Sequence, residues 1–177
     1  VVEQLNSGVE ALLEKYSVNY IEGEARFESS NTVRIEEEHN AEKIEFEKAV
    51  IATGSKPIEI PGLEFDQEGV VSSKELLEVE EVPDEIVVVG GGYIGMEAVT
   101  KFCKFCATVK VVEARDRVLQ QFEEEIVDSI QETSDCYNDE IYEGHKAKGI
   151  DNSGEKTTVI TEHEGEQKEI EGDMVLV

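Results

Sequence analysis

The chain has 177 residues, 39% of them hydrophobic, and its 42 acidic and 16 basic side chains leave a formal charge of −26. A field of that sign repels phosphate and excludes a nucleic-acid-binding surface. No apolar run approaches the roughly 18 residues of a membrane helix, and the strand and helix patterns that persist throughout argue against a disordered acidic chain.

In chain order, Leu5, Val9, Leu12, Leu13 and Tyr16 fall on one face of a helix over residues 3–16. Val18–Ile21 reads as a short strand, followed by strands at Gly23–Phe27, Asn31–Ile35 and Lys43–Phe46, a small antiparallel meander with a very polar turn at Glu36–Glu42. Lys48–Gly54 reads as a buried strand, and Pro57 and Pro61-Gly62 then force an extended connection. A short helix at Lys74–Leu77 stops before Pro83, where the domain boundary is expected.

The most informative stretch follows. Residues 86–89, Ile-Val-Val-Val, form a continuous apolar run, as in a strand covered on both faces. It enters Gly90-Gly-Gly-Tyr-Ile-Gly95, in which Gly90, Gly92 and Gly95 fit the G-x-G-x-x-G dinucleotide fingerprint. Gly90 permits the tight turn, Gly92 a close backbone approach to a pyrophosphate, and Gly95 close packing of helix on strand. A helix at Tyr93–Phe105 would offer its N-terminal N–H groups to the phosphates. A second strand, Thr108–Val112, ends in Glu113, about 20 residues past the turn, where a carboxylate accepts hydrogen bonds from a ribose. Because Glu113 stands at the strand end, while Arg115 and Arg117 enter a loop with access to solvent or Asp116, NAD is expected over NADP. A helix at Glu123–Thr133, a strand with a polar turn at 139–150, a hairpin of Lys156–Glu162 and Gln167–Ile170, and a buried strand at Asp173–Val177 complete the chain. The fold expected is α/β: a Rossmann-like dinucleotide-binding domain with a parallel sheet and a small antiparallel meander, beside part of a second domain ahead of Pro83.

Four stretches, Gly23-Glu-Ala-Arg-Phe27 with Asn31-Thr-Val33, Ala52-Thr-Gly-Ser-Lys-Pro57, Gly90-Gly-Gly-Tyr-Ile-Gly-Met-Glu97 and Val111-Val-Glu-Ala-Arg-Asp-Arg-Val-Leu119, together resemble one family. It is the flavin-dependent pyridine nucleotide–disulfide oxidoreductases, and within them the branch that reoxidises dihydrolipoyl groups. The resemblance implies an internal segment of a longer enzyme, inactive alone because the redox cysteines and the catalytic histidine lie elsewhere. Residues 1–83 would be the latter part of the FAD domain and 84–177 most of the NAD domain. FAD and NAD are the implied cofactors. A homodimeric parent and the dihydrolipoyl domain of an acyltransferase subunit are the implied partners. Matching positions suggest that Thr53 and Gly54 lie against the flavin nucleotide, and that Glu24 and Ala25 give a backbone contact to adenine. Gly90, Gly91, Gly92, Ile94, Gly95 and Glu113 would hold NAD, with Lys146 near its adenine. Tyr93 would sit at the nicotinamide pocket, and Glu97, one helical turn on, would pair with a lysine near the flavin. The alternatives are another disulfide or mercuric reductase of the family, or a non-catalytic dinucleotide-binding module.

Cys103 and Cys106 form a C-x-x-C that differs from the family's C-x4-C redox pair, and they read as free, buried, small apolar residues; no metal site is expected. His39, His145 and His163 read as solvated. Three cysteines do not form a disulfide framework, which favours a reducing cytoplasm.

The dispersed acidity points to a salt-accumulating cell, because self-repulsion weakens as the Debye length falls from about 10 Å at 0.1 M to about 3 Å at 1 M. Circular dichroism across a potassium chloride series should therefore show the unfolding midpoint rising with salt. Equal or greater stability in dilute salt would contradict this reading.

Overall fold

The structure, a computed structural model, describes residues 2–36, 41–66, 69–133 and 140–177. It divides into two compact units, Val1–Gly54 and Ser55–Val177. The expected turn between the second and third meander strands, His39 and Cys136 lie outside the described residues.

The first unit holds helix α1 (Val2–Lys15) and an antiparallel meander of β1 (Glu24–Ser29), β2 (Thr32–Glu36) and β3 (Ala41–Glu45). The register sets Phe27 opposite Val33 and Val33 opposite Ile44, so one face collects apolar side chains. Phe27 and Phe46 meet edge to face at 5.9 Å. On the other side Glu28 draws in Lys43 at 2.8 Å and Arg34 at 3.8 Å. Two expected strands are absent. Residues 18–21 and 48–54 are not in strands, and Val50 is 92% exposed. An apolar run becomes a strand only when a neighbour takes its N–H and carbonyl groups, and among the described residues of this unit the meander pairs only with itself. The apolar stripe of α1, Leu5, Val9, Leu12 and Tyr16, is likewise exposed.

The second unit has three layers. Its central parallel sheet is built from β4 (Val70–Val71), β5 (Glu85–Val89), β6 (Thr108–Val112), β7 (Ile141–Tyr142) and β11 (Met174–Leu176), in the order β4-β11-β5-β6-β7. Helices α2 (Tyr93–Lys104) and α3 (Glu124–Thr133) follow β5 and β6. A second antiparallel sheet contains β8 (Lys146–Asp151), β9 (Thr157–His163) and β10 (Glu166–Gly172). The alternation of β5 shows why its sequence is uniformly apolar. Ile86 and Val88 enter the core with Met96, Val99 and Phe102 of α2, whereas Val87 points the other way, into a core with Val159 and Ile170 of the antiparallel sheet. Each buried valine or isoleucine there contributes roughly 1.5–3 kcal/mol of transfer free energy.

Residues 55–83 pack with this unit, so contact divides the chain at Gly54 and not at Pro83. The cause is β4, whose Val70 and Val71 pair in parallel with Val175 and Leu176. The expected short helix is a single 3-10 turn, Glu75–Leu77, with the Glu75 carboxylate accepting from the Ser72 hydroxyl and N–H. The cysteines differ from expectation. Cys103 is half-buried and disulfide-bonded. Cys106 carries a free, exposed thiol at a left-handed position just past α2 (φ 65°). There it does the work of the glycine that commonly ends a helix.

At the amino end of the sheet, Glu85 Oε2 is 3.0 Å from both Lys110 Nζ and Lys156 Nζ, and Asp173 Oδ1 is 3.7 Å from Lys156. Lys110, which hydrogen-bonds it, and then Lys156 hold the Glu85 carboxyl below its ordinary value. A carboxylate with a depressed folded pKa stabilises above its unfolded value, about 4.3, and loses that contribution as pH falls through the folded value. Glu85→Gln should therefore destabilise near pH 7 by about 1 kcal/mol. The gap from wild type should close as pH falls below about 4. Urea denaturation at pH 7, 5, 4 and 3 measures it, and a gap that stays constant to pH 3 would remove the ion pairs as its source.

Candidate functional site

The chain changes direction beside β5. From there β6 and β7 lie on one side and β11 and β4 on the other, so a crevice opens at the carboxyl ends of β5 and β11. The glycine turn lies at that point. Gly90 has φ 107°, and its N–H donates to the Val112 carbonyl at 2.8 Å, tying the turn to the end of β6. Gly92 is extended and caps α2, its carbonyl accepting the Met96 N–H at 3.0 Å. Gly95 lies against the Gly90 carbonyl oxygen, and a β-carbon at Gly95 would collide with that atom and with Val88. At Gly92 nothing stands within 4 Å of where a β-carbon would be, so the turn leaves an open cradle in front of the α2 N-terminus.

Glu113 reaches back into this turn. Its Oε2 accepts the Gly91 N–H at 2.7 Å, and its Oε1 accepts the Arg115 N–H at 2.8 Å. The loop beyond is fixed in turn: the Leu119 N–H donates to the Gly91 carbonyl at 2.7 Å, and the Val118 N–H to Glu143 Oε1 at 2.9 Å. Arg117 is partly exposed, and its hydrogen bond is to the loop and not to Asp116. Its Nη2 donates to the Phe122 carbonyl at 2.8 Å, and its Nη1 is buried with no hydrogen-bond partner among the described residues.

Three spaces surround the turn. A crevice of about 340 Å³ between β5 and β11 is lined by Gly90, Gly92, Tyr93, Ile94 and Gly95, with Pro57, Ile58 and Val177 opposite. A second, of about 300 Å³ at the end of β6, is lined by Gly91, Gly92, Glu113, Arg115, Arg117 and Gln120. An apolar groove of about 420 Å³ between α2 and α3 has Tyr93 and Glu97 on its rim with Met96, Phe122 and Ile126. The fold thus gathers Gly90–Gly95, Tyr93, Ile94, Glu97 and Glu113 around one helix N-terminus. Lys146 is exposed at the start of β8 and outside these linings. Glu24, Ala25, Thr53 and Gly54 belong to the other unit and are exposed. Glu24 takes the Arg26 guanidinium at 2.9 Å, while Gly54 is left-handed with open space around it. The sequence reading missed Pro57, Ile58, Val177 and Gln120, which reach the site only through strand order and loop path. It took His145 and His163 as solvated; His163 is exposed as expected, whereas His145 is half-buried. Their rings stack at 4.6 Å, each Nδ1–H within 2.9 Å of a backbone carbonyl in the 143–144 turn. That turn is bonded to the end of β6 through the His145 N–H and the Glu113 carbonyl at 2.9 Å.

The model of the family described as pyridine nucleotide-disulphide oxidoreductase matches residues 1–177. Dihydrolipoyl dehydrogenase of Haloferax volcanii is 44% identical over the whole chain. That of Staphylococcus aureus is 40% identical and that of Halobacterium salinarum 37%. The chain spans 38% of the length of each of these relatives. Among solved structures, an HOCl-induced flavoprotein disulfide reductase of Escherichia coli superposes with a TM-score of 0.85 at 26% identity, over 99% of this chain and 40% of that one. LpdA of Mycobacterium tuberculosis, at 21% identity, has the same fold, with a TM-score of 0.86 over 98% of this chain and 39% of that one.

The two glycines flanking the helix start differ in kind, and substitution separates them. Gly95→Ala forces the helix off the strand and should cost about 1–3 kcal/mol, lowering Tm by several degrees. Gly92→Ala places its methyl in open space with an allowed backbone and should leave Tm unchanged or slightly raised. Thermal unfolding of both variants checks this. Equal losses would refute the distinction.

Proposed function

The chain belongs to the pyridine nucleotide-disulphide oxidoreductase family, and from that membership we propose that it is the nicotinamide-dinucleotide platform, with part of the flavin cradle, of an NAD-linked dihydrolipoyl dehydrogenase. The observation that carries this is the Glu113 bridge: the strand-end carboxylate accepts the N–H of Gly91 in the phosphate-facing turn, within one cavity with Gly92. A carboxylate so held turns its remaining lone pairs to the cavity, where both hydroxyls of a ribose can donate to it.

The residues fit the group. The open cradle at Gly92 admits a pyrophosphate to the α2 N-terminus, and Arg115 and Arg117 on the wall of the same cavity supply positive charge near it. Gly90, Gly91, Ile94 and Gly95 shape the approach. Tyr93 and Ile94 face the crevice at the end of β5, where the nicotinamide is placed. Glu97, on the next turn of α2, is assigned to a cation beside the flavin. The Lys146 backbone is assigned to the adenine from its match to the family's position, and the support for it is that the residue before it, His145, bonds the end of β6. Thr53 and Gly54 give a close backbone approach to FAD, and Glu24 and Ala25 an exposed strand edge for its adenine. In function we divide the chain at Pro83, residues 1–83 serving FAD and 84–177 serving NAD. When bound, the nicotinamide supplies hydride transfer and the flavin passes electrons between it and a disulfide.

The dihydrolipoyl substrate follows from the relatives' names, and with it a dihydrolipoyl domain of an acyltransferase subunit as partner and a homodimeric enzyme. The −26 charge and the haloarchaeal relatives support a cytoplasm rich in salt.

Two measurements test the proposal. In the protein carrying this chain, dihydrolipoamide should drive NADH formation in molar salt, with no comparable reduction of glutathione disulfide or mercuric ion; the reverse preference would replace the substrate class. In the chain itself, NADH should bind at least about tenfold tighter than NADPH, a difference of about 1.4 kcal/mol. Glu113→Gln should narrow that ratio, because the like charge that repels a 2′-phosphate is gone. A ratio near one in the wild type, or one unmoved by the substitution, removes Glu113 as the selector.

A further inference from the structure

The wall of the second cavity is held from behind by a side chain that does not line it. Glu143 stands in the turn between β7 and β8, and its Oε1 accepts the Val118 N–H at 2.9 Å, 25 positions away in the chain. Val118 is fully buried and lies directly against Gly91, where a β-carbon would collide with it. The next residue, Leu119, donates its N–H to the Gly91 carbonyl at 2.7 Å, and Glu113 takes the Gly91 N–H. Gly91 is thus held at its N–H, its carbonyl and its α-carbon, and the loop that supplies two of these contacts is tied down by Glu143.

The turn that carries Glu143 is itself fixed. The Gly144 N–H donates to the Arg115 carbonyl at 2.8 Å, the His145 N–H to the Glu113 carbonyl at 2.9 Å, and the Glu113 N–H to the Tyr142 carbonyl at 3.0 Å. The stacked rings of His145 and His163 set their Nδ1 atoms on the carbonyls of Glu143 and Gly144, at 2.8 and 2.9 Å. These contacts use the backbone of the turn and would form with any residue at 143. The Glu143 carboxylate adds a tie that reaches past them, to the far end of the loop bearing Arg115 and Arg117. A buried N–H has to find an acceptor, and for Val118 that acceptor comes from another element.

We propose that Glu143 is a positioning residue for the adenosine side of the dinucleotide: through Val118 and Leu119 it fixes Gly91, and with Gly91 the Glu113 carboxylate that takes the ribose. The inference rests on the dinucleotide reading above. Two consequences separate this role from a brace for the fold. The nicotinamide crevice between β5 and β11 is lined without Gly91 or Glu113, so that half of the site does not depend on Glu143. The loop that Glu143 holds also carries both arginines of the cavity wall, and releasing it lets them move toward a 2′-phosphate. The position needs an acceptor and not a charge, so glutamine serves there and leucine does not.

The experiment uses the whole chain in molar potassium chloride and four probes: NADH, NADPH, ADP-ribose and reduced nicotinamide mononucleotide. Calorimetric titration of wild type, Glu143→Leu and Glu143→Gln gives the affinities, and circular dichroism checks the fold. Losing the buried hydrogen bond predicts NADH and ADP-ribose about tenfold weaker in Glu143→Leu, a smaller preference for NADH over NADPH, and an unchanged mononucleotide. Glu143→Gln should stay within about twofold of wild type for every probe. Equal losses for all four probes in Glu143→Leu, or none for any, would overturn the proposal. So would a loss in Glu143→Gln as large as in Glu143→Leu, which would make charge the cause. If Glu143→Leu does not fold, amide exchange in the wild type decides: ADP-ribose should slow Val118 and Leu119 together with Gly91, and the mononucleotide should not. Protection confined to Gly91 would also overturn it. A wild type that binds neither NADH nor ADP-ribose would fell the dinucleotide reading itself, and this proposal with it.

Discussion

At Gly95 the backbone of α2 rests against the carbonyl of Gly90, and the geometry above the sheet depends on no side chain standing between them. Close contact there brings the helix down onto β5, so that Met96, Val99 and Phe102 can bury against Ile86 and Val88. The same contact fixes where the helix starts. Its N-terminus opens at the carboxyl end of the sheet, at the place where strand order reverses and a crevice is unavoidable. One missing methyl group thus links packing to site: displacing the helix there would loosen the core and move the cradle together.

How much of this was legible in the sequence depended on whether the cause was local. The unit from β5 to β6 was readable because each step has a nearby cause: an apolar run covered on both faces, a turn only glycine tolerates, and helical spacing of Ile94, Ala98 and Phe102. The hairpin about Glu164-Gly165 was readable for the same reason. The run at 48–54 has as strong a strand composition, yet Val50 and Ile51 are exposed, because a parallel strand exists only by virtue of neighbours. The α1 stripe makes the same point. Periodicity stated that Leu5, Val9 and Leu12 share a face, and it does not state that anything covers them.

The site divides along the same line. Glycines with a conformational duty and a carboxylate at a strand end carry their roles in their positions. Arg117 does not. An arginine five residues past a strand end is ordinarily fully solvated, and only the path of the loop, pinned by Leu119 to Gly91 and by Val118 to Glu143, brings it onto the cavity wall and the Phe122 carbonyl. Val177 and Ile58 are as unreadable, since their neighbourhood is made by the placement of β11 and of an extended segment more than a hundred positions apart.

Charge sets the remaining constraint. A dinucleotide is an anion, and this chain carries −26, so the long-range field opposes its approach. Attraction has to be short-ranged: the partial positive charge of a helix N-terminus, and Arg115 and Arg117 set on the cavity wall. These act over a few ångströms, inside the Debye length of even molar salt, about 3 Å, whereas the dispersed repulsion acts over longer distances and is screened away. Concentrated salt therefore removes more of the opposition than of the attraction. The pattern is the inverse of that of a basic protein on nucleic acid, whose affinity falls as salt rises. The same separation of ranges accounts for the fold. Glu85 between Lys110 and Lys156, and Glu28 between Lys43 and Arg34, keep their partners at contact distance, while the unpaired carboxylates around them are the ones that salt silences.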